Sequence, residues 1–248
     1  LFSHPTVATL AQAIESARLG IHSPEQGDQG PHVVAMPLRQ QGDQSPLFLV
    51  HDLSGTVMPY VPLVQRLSSG TPVYGLGLQT QVCGIAESAT VTLETMATWH
   101  VAAIRKVQPH GPYRLAGWSA GGVLAYEIAT QLIGHDEQVA FLGLIDAPCP
   151  QASDHQHDTD DQNIEVSLLM GYLSTQMPTE DGSLHKLVTA PSAALDLDAL
   201  LKQAQNHGYL PADLSTADAR GLLGRSRQVM RAVQNYRPQA LSDRKSVV

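Results

Sequence analysis

The stretch YRLAGWSAGGVLAYEIATQLIG, residues 113–134, constrains this chain more than any other. Tyr113 to Ala116 reads as a buried strand, and from Gly122 onward Leu124, Ile128 and Leu132 recur every four residues until Gly134 stops the pattern. A strand therefore runs into a helix through one sharp turn, and Ser119 sits at the joint between glycines. Gly117-Trp118-Ser119-Ala120-Gly121 fits the G-x-S-x-G pattern. In that pattern a strained backbone lifts a serine hydroxyl above a sheet, and small neighbours let strand and helix approach. Three fixed positions in five are a short signal, so a plain turn serine is the competing reading.

The rest of the chain supplies the setting. From Pro46 onward apolar runs alternate with helical segments, which predicts a mostly parallel sheet covered on both faces. PLFLVH is the first central strand and DLSG a turn after it, and Pro59-Tyr60 leads into a helix carrying Leu63, Val64 and Leu67. PVYGLGL at 72–78 is the next strand. Thr92 opens a helix through Leu93, Met96, Ala97, Val101 and Ile104, closed by Gln108-Pro109-His110-Gly111. VAFLGLID follows the elbow and reads as an interior parallel strand because it is nearly continuously apolar. After Pro150 the rhythm changes: a polar loop, QASDHQHDTDDQN, precedes three helical patterns at about 164–177, 196–207 and 215–236. Such an insertion is expected to cover a site, with a purely packing role as the alternative. SVV at 246–248 reads as the start of another strand.

The beginning of the chain differs from the rest. Residues 1–19 predict a short amphipathic helix with Val7, Leu10, Ile14 and Leu19 on one stripe. A Gly-, Gln- and Pro-rich linker then leads into a first edge strand at about 32–38. With 248 residues the chain is long enough for one large α/β domain. A net charge of −8 without a basic cluster argues against nucleic acid or an anionic membrane as partner. The two cysteines, Cys83 and Cys149, lack metal-ligand spacing; a single bridge between them stays open, and a reducing cytoplasmic setting is expected. No apolar run reaches the roughly 18 residues a spanning helix needs.

Three further features bear on Ser119. Asp146 closes the strand FLGLI and is placed as the acid of a Ser-Asp-His order, against the alternative of a carboxylate that caps a turn. The oxyanion donors are expected to be two backbone N–H groups: Ala120, next after the serine, and Leu53, in the loop VHDLSG. The base is harder to place. Of eleven histidines, only His155, His157, His185 and His207 follow Asp146, and none lies after a late strand. His155 and His157 read as a solvated acidic loop rather than a metal site. His207 before Gly208 reads as a helix-end cation, and His51, in the wrong chain order, as a supporting or structural group.

Taken together, PLFLVHDLSG, PVYGL, QPHGPYRLAGWSAGGVLAYEIA, FLGLIDA and a helical segment ending in NYRP resemble the type I thioesterase domains that terminate nonribosomal peptide and polyketide synthetases. LFSHPTVATLAQAIE resembles the closing helix of an acyl or peptidyl carrier domain. The resemblance implies an α/β-hydrolase fold with a helical lid at about 151–236, a carrier helix at 1–20, a linker and edge strand at 21–44 and a thioesterase domain at 45–248. It implies Ser119 as nucleophile, Asp146 as acid, and Leu53 and Ala120 as oxyanion donors. It further implies that this domain binds no cofactor of its own, the substrate arriving on the phosphopantetheine arm of a carrier domain in the same chain. Its histidine would come some tens of residues beyond NYRP, past Val248, which would leave these 248 residues strongly impaired on their own. An editing thioesterase, another serine hydrolase and a non-catalytic module that grips a carrier are the rival readings.

Overall fold

A computed structural model describes residues 33–78, 91–149, 165–166, 168–171, 173 and 197–241. The predicted helix at 1–19, the strand at 246–248, Cys83, His155, His157 and His185 lie outside the described residues. Among the described residues there are five strands: β1 (Val33–Arg39), β2 (Leu47–Val50), β3 (Val73–Leu78), β4 (Tyr113–Trp118) and β5 (Val139–Ile145). A 3-10 turn, Met58–Tyr60, leads into α1 (Val61–Arg66); then follow α2 (Leu93–Val107), α3 (Ala120–Gly134), α4 (Leu197–Asn206) and α5 (Thr216–Asn235). The strands pair in the order β1-β3-β2-β4-β5, antiparallel between β1 and β3 and parallel elsewhere. The chain order β2, β3, then β4 on the far side of β2 is what places the C-terminal end of β2 beside the elbow.

Side-chain alternation sorts the core onto two faces, as a period of two requires. On β2, Phe48 and Val50 join Leu76, Leu115 and the inner stripes of α2 and α3, while Leu47 and Leu49 join Val57, Tyr60 and Val64 beside α1. The Thr92 side chain caps α2 by accepting from Thr95 N–H at 3.2 Å, with Glu94 in the first turn and Arg105 and Lys106 in the last, complementing the helix dipole. At the other end of the sheet Arg39 donates to four carbonyls, Val64 O, Leu67 O, Ser68 O and Thr71 O, and so ties β1 to the end of α1 and the turn after it.

VAFLGLID reads as an interior strand; among the described residues β5 is the last strand of the sheet, and it leaves Phe141, Leu144 and Ile145 between 43% and 48% exposed. Among the described residues its only strand partner is β4. An unbroken apolar run marks a strand built for burial on both faces; it does not specify which element supplies the burial.

The helical patterns after Pro150 are present as far as the described residues cover them. Residues 165–166, 168–171 and 173, all helical, and α4 build a small core with α5 of Val166, Leu169, Leu173, Leu197, Leu200, Leu201, Ala204 and Ala219. Buried Glu165 joins this group to α5 through Arg227 Nη1 at 2.7 Å and Arg220 Nε at 3.5 Å. The C-terminal half of α5 instead packs on the sheet core through Val229, Ala232 and Tyr236. There the Tyr236 hydroxyl donates to Glu127 Oε2 at 2.7 Å, and Gln131 Nε2 donates to the other carboxylate oxygen at 3.0 Å. Tyr236→Phe should destabilise the protein by about 1–3 kcal/mol, because a buried carboxylate loses a donor, and a lower urea midpoint at unchanged slope would show it. An unaltered midpoint would mean that Glu127 finds another donor.

Candidate active site

β4 and α3 meet at Ser119 with almost no intervening chain. Ser119 has φ 54 and ψ −127, outside the regions that suit a residue with a Cβ, and α3 begins at the next residue. Strain of this kind costs on the order of 1–3 kcal/mol and persists only where the surroundings enforce it. Here they do: Ser119 N–H donates to Ile145 O at 2.9 Å, and Ser119 O accepts from Gly122 N–H at 2.9 Å. The glycines permit the approach. A Cβ on Gly121 would run into the carbonyl of His51 and come within 2.6 Å of Val50 O, and one on Gly122 would lie 2.5 Å from Ala147 Cβ. The end of β2 and the residue after Asp146 are therefore both packed directly on the elbow.

Asp146 stands where its strand pattern puts it, next after β5, with Trp118 and Ile145 in register across the two parallel strands. The ends of β4 and β5 are thus neighbours. Asp146 is exposed and also has a positive φ, 46, a conformation that Asp tolerates better than most residues.

The loop after β2 is cross-linked within itself. Asp52 Oδ1 accepts from Ser54 N–H at 2.9 Å and from the Ser54 hydroxyl at 2.5 Å, while Asp52 O accepts from Gly55 N–H at 3.1 Å. Gly55 turns the chain with φ 76, and its carbonyl accepts from Leu78 N–H at 3.0 Å. Among the described residues neither Leu53 N–H nor Ala120 N–H donates a hydrogen bond, so both expected oxyanion donors are unpaired.

Two supporting residues escaped the sequence. The buried Tyr60 hydroxyl donates to Val50 O at 2.7 Å and accepts from Trp118 N–H at 2.8 Å, tying the end of β2 to the residue before Ser119. Burial, opposed by the Trp118 N–H and reinforced by the charge of Asp52, pushes this hydroxyl up to about 12, so it remains a donor at neutral pH. The other is His100, fully buried on α2 and packed ring against ring on His51 with centroids 5.1 Å apart. A lone histidine on an apolar helix face gives no such signal by itself.

None of the described histidines hydrogen-bonds Ser119. His207 follows α4, exposed and beside Tyr209, and its N–H donates to Gln203 O ahead of Gly208 at φ 73, the helix-end role its sequence suggests. Cys149 is exposed and unbridged. Among the described residues no group of three or more His, Cys, Asp or Glu side chains could hold a metal ion, and no helix is long and apolar enough to cross a membrane. A groove beside Pro37, Arg39 and Gln65 opens at the opposite end of the sheet from Ser119, where Arg39 pairs with the first residue of β3. Sites in open parallel sheets form at the carboxyl ends of the strands, which is where Ser119 and Asp146 lie.

A mostly parallel sheet, a strained serine between β4 and α3 and a group of helices after β5 define an α/β-hydrolase fold. Residues 45–244 match the thioesterase domain family, and the chain belongs to it. It is 37% identical over 169 residues to a dimodular nonribosomal peptide synthase of Bacillus subtilis, covering 68% of this chain and 7% of that protein. With the inactive atromentin synthetase invA6 of Paxillus involutus it shares 32% over 177 residues, 71% of this chain and 18% of the other. The chain thus spans less than a fifth of the length of these relatives. Among solved structures, the four-domain nonribosomal peptide synthetase holo-AB3403 bound to AMP and glycine superposes with TM-score 0.67 at 27% identity, over 95% of this chain and 17% of that one. The NocB thioesterase domain, in covalent complex with a fluorophosphonate nocardicin G analogue, shares the fold at TM-score 0.52 and 24% identity, over 79% of this chain and 69% of that one.

Proposed function

We propose that this domain releases an acyl or peptidyl chain from the phosphopantetheine thioester of a carrier domain in the same polypeptide, through an ester on Ser119. The observation that carries this reading is the strained Ser119 at the start of α3 with two unpaired backbone donors, Leu53 N–H and Ala120 N–H, from the loop and helix packed against it. Ser119 Oγ attacks the thioester carbonyl and gives its proton to a histidine; the carbonyl oxygen becomes an oxyanion held by the two amides. Collapse breaks the C–S bond, and the thiolate leaves with the proton returned by the histidine. Water or a nucleophile within the chain then resolves the ester, giving hydrolysis or cyclisation. Asp146 orients the histidine and stabilises its charged form. That histidine is none of the described ones, since none bonds Ser119.

The family membership supports chain release, and relatives that are multidomain synthetases support delivery by a carrier domain. A second reading, a carrier-binding module without catalysis, is favoured by one fact: a relative at 32% identity bears the name inactive. Treating the full-length protein with a fluorophosphonate probe separates the two. Mass spectrometry should place a single adduct on Ser119; an adduct on another residue, or no adduct in a folded protein, sinks the proposal.

A further inference from the structure

His51 follows β2 and is completely buried, with no acidic or basic side chain hydrogen-bonded to it. Its Nδ1 lies 2.7 Å from Asp52 O, and a carbonyl only accepts, so Nδ1 carries the proton and Nε2 the lone pair. The same logic fixes His100, whose Nδ1 donates to Met96 O at 2.7 Å. Both Nε2 atoms are buried and without a hydrogen-bond partner among the described residues. Burial holds both imidazoles below the usual histidine range, with His100 pushed down to about 3. Two neutral rings each carrying an unsatisfied buried acceptor are a poor way to fill an apolar space, since each such group costs of the order of 1–3 kcal/mol. An aliphatic side chain would fill it better, so the pair calls for a reason other than stability.

That reason lies across a single peptide bond. In a trans peptide the C=O of one residue and the N–H of the next point in opposite directions in one plane. Asp52 O belongs to the same plane as Leu53 N–H, and it is gripped from two sides, by His51 Nδ1–H and by Gly55 N–H. Holding the carbonyl on the buried side turns the amide outward. The ring that holds it is braced by His100 on α2, while the His51 backbone packs on Gly121 at the start of α3 and its N–H donates to Leu76 O at 3.0 Å.

We infer that His51 is a positioning residue of the oxyanion hole, its Nδ1–H bond to Asp52 O aiming Leu53 N–H at the developing oxyanion. The inference rests on Ser119 and Leu53 having the roles proposed above. Gly55 N–H keeps part of the grip when His51 is replaced, so the loss stays below the roughly 10²- to 10³-fold that follows removal of an oxyanion donor outright. Leucine matches the volume and lacks the donor; asparagine places an N–H near the position of Nδ1.

The test measures hydrolysis of an acyl N-acetylcysteamine thioester by the full-length protein and its His51→Leu, His51→Asn and Ser119→Ala variants, with a thermal melt of each. His51→Leu should lower kcat by about 10- to 100-fold with KM within about twofold and a melting temperature equal to or above that of the parent. His51→Asn should recover most of the kcat. Parental kcat in His51→Leu overturns the inference, as does a loss in both His51 variants that tracks a lower melting temperature. If Ser119→Ala turns over at the parental rate, the nucleophile assignment fails and the role of His51 falls with it, a result distinct from a failure confined to His51.

Discussion

Ser119→Ala should lower acyl-thioester turnover of the full-length protein by about 10⁴- to 10⁶-fold, the range seen when a nucleophile is removed from a site that acts as a unit. The fold should not suffer. Ser119 is half-buried, and the bonds that hold the elbow, to Ile145 O and from Gly122 N–H, are made by its backbone. Alanine meets the same strain at φ 54, so the thermal transition should stay within a few degrees of the parent. The measurement is single-turnover acylation followed by mass, together with calorimetry on the same sample. Turnover within tenfold of the parent would remove Ser119 from the chemistry and leave the carrier-binding reading standing.

Gly121→Ala should be among the most damaging single methyl additions in the domain. The added carbon meets two backbone carbonyls, those of Val50 and His51, and backbone cannot rotate away as a side chain can. Relief requires α3 to back off from β2, which costs at least the 1–3 kcal/mol of ordinary overpacking and separates Ala120 N–H from Leu53 N–H. A lowered urea midpoint together with at least about a hundredfold slower labelling of Ser119 is expected. Full labelling at parental stability would show that the two donors need not be so close. The contrast with Ser119→Ala is informative, since one variant loses chemistry at constant stability and the other loses both.

How much of this was legible beforehand follows the range of each signal. Gly117, Ser119 and Gly121 lie within five residues, and the helix period behind them is local, so the elbow and α3 could be placed from sequence. Asp146 could be placed because it ends an apolar run. Leu53 and Ala120 were reached by counting from a strand end and from the serine, and neither N–H has a partner among the described residues. Tyr60 could not be reached that way: its hydroxyl joins Val50, 10 residues away, to Trp118, 58 residues away, and only the crossover that seats β2 beside β4 brings them together. His100 was hidden for the same reason, since its partner His51 belongs to another element. The apolar content of β5 reports how much burial the strand requires and carries no information on the neighbour that provides it.

The two separate cores joined by α5 have a mechanical consequence. Ala219, near the start of that helix, packs with the cover, and Val229 and Ala232, farther along, pack with the sheet. One continuous helix thus links two separate apolar clusters, the smaller on the side of α4 and the larger on the sheet. Opening the smaller unit disrupts its own apolar cluster and the Glu165 ion pairs but need not disturb Ser119, Leu53 or Ala120, all of which belong to the larger one. In the proposed reaction, a rearrangement confined to the smaller cluster would leave the Ser119 elbow and the loop after β2 assembled.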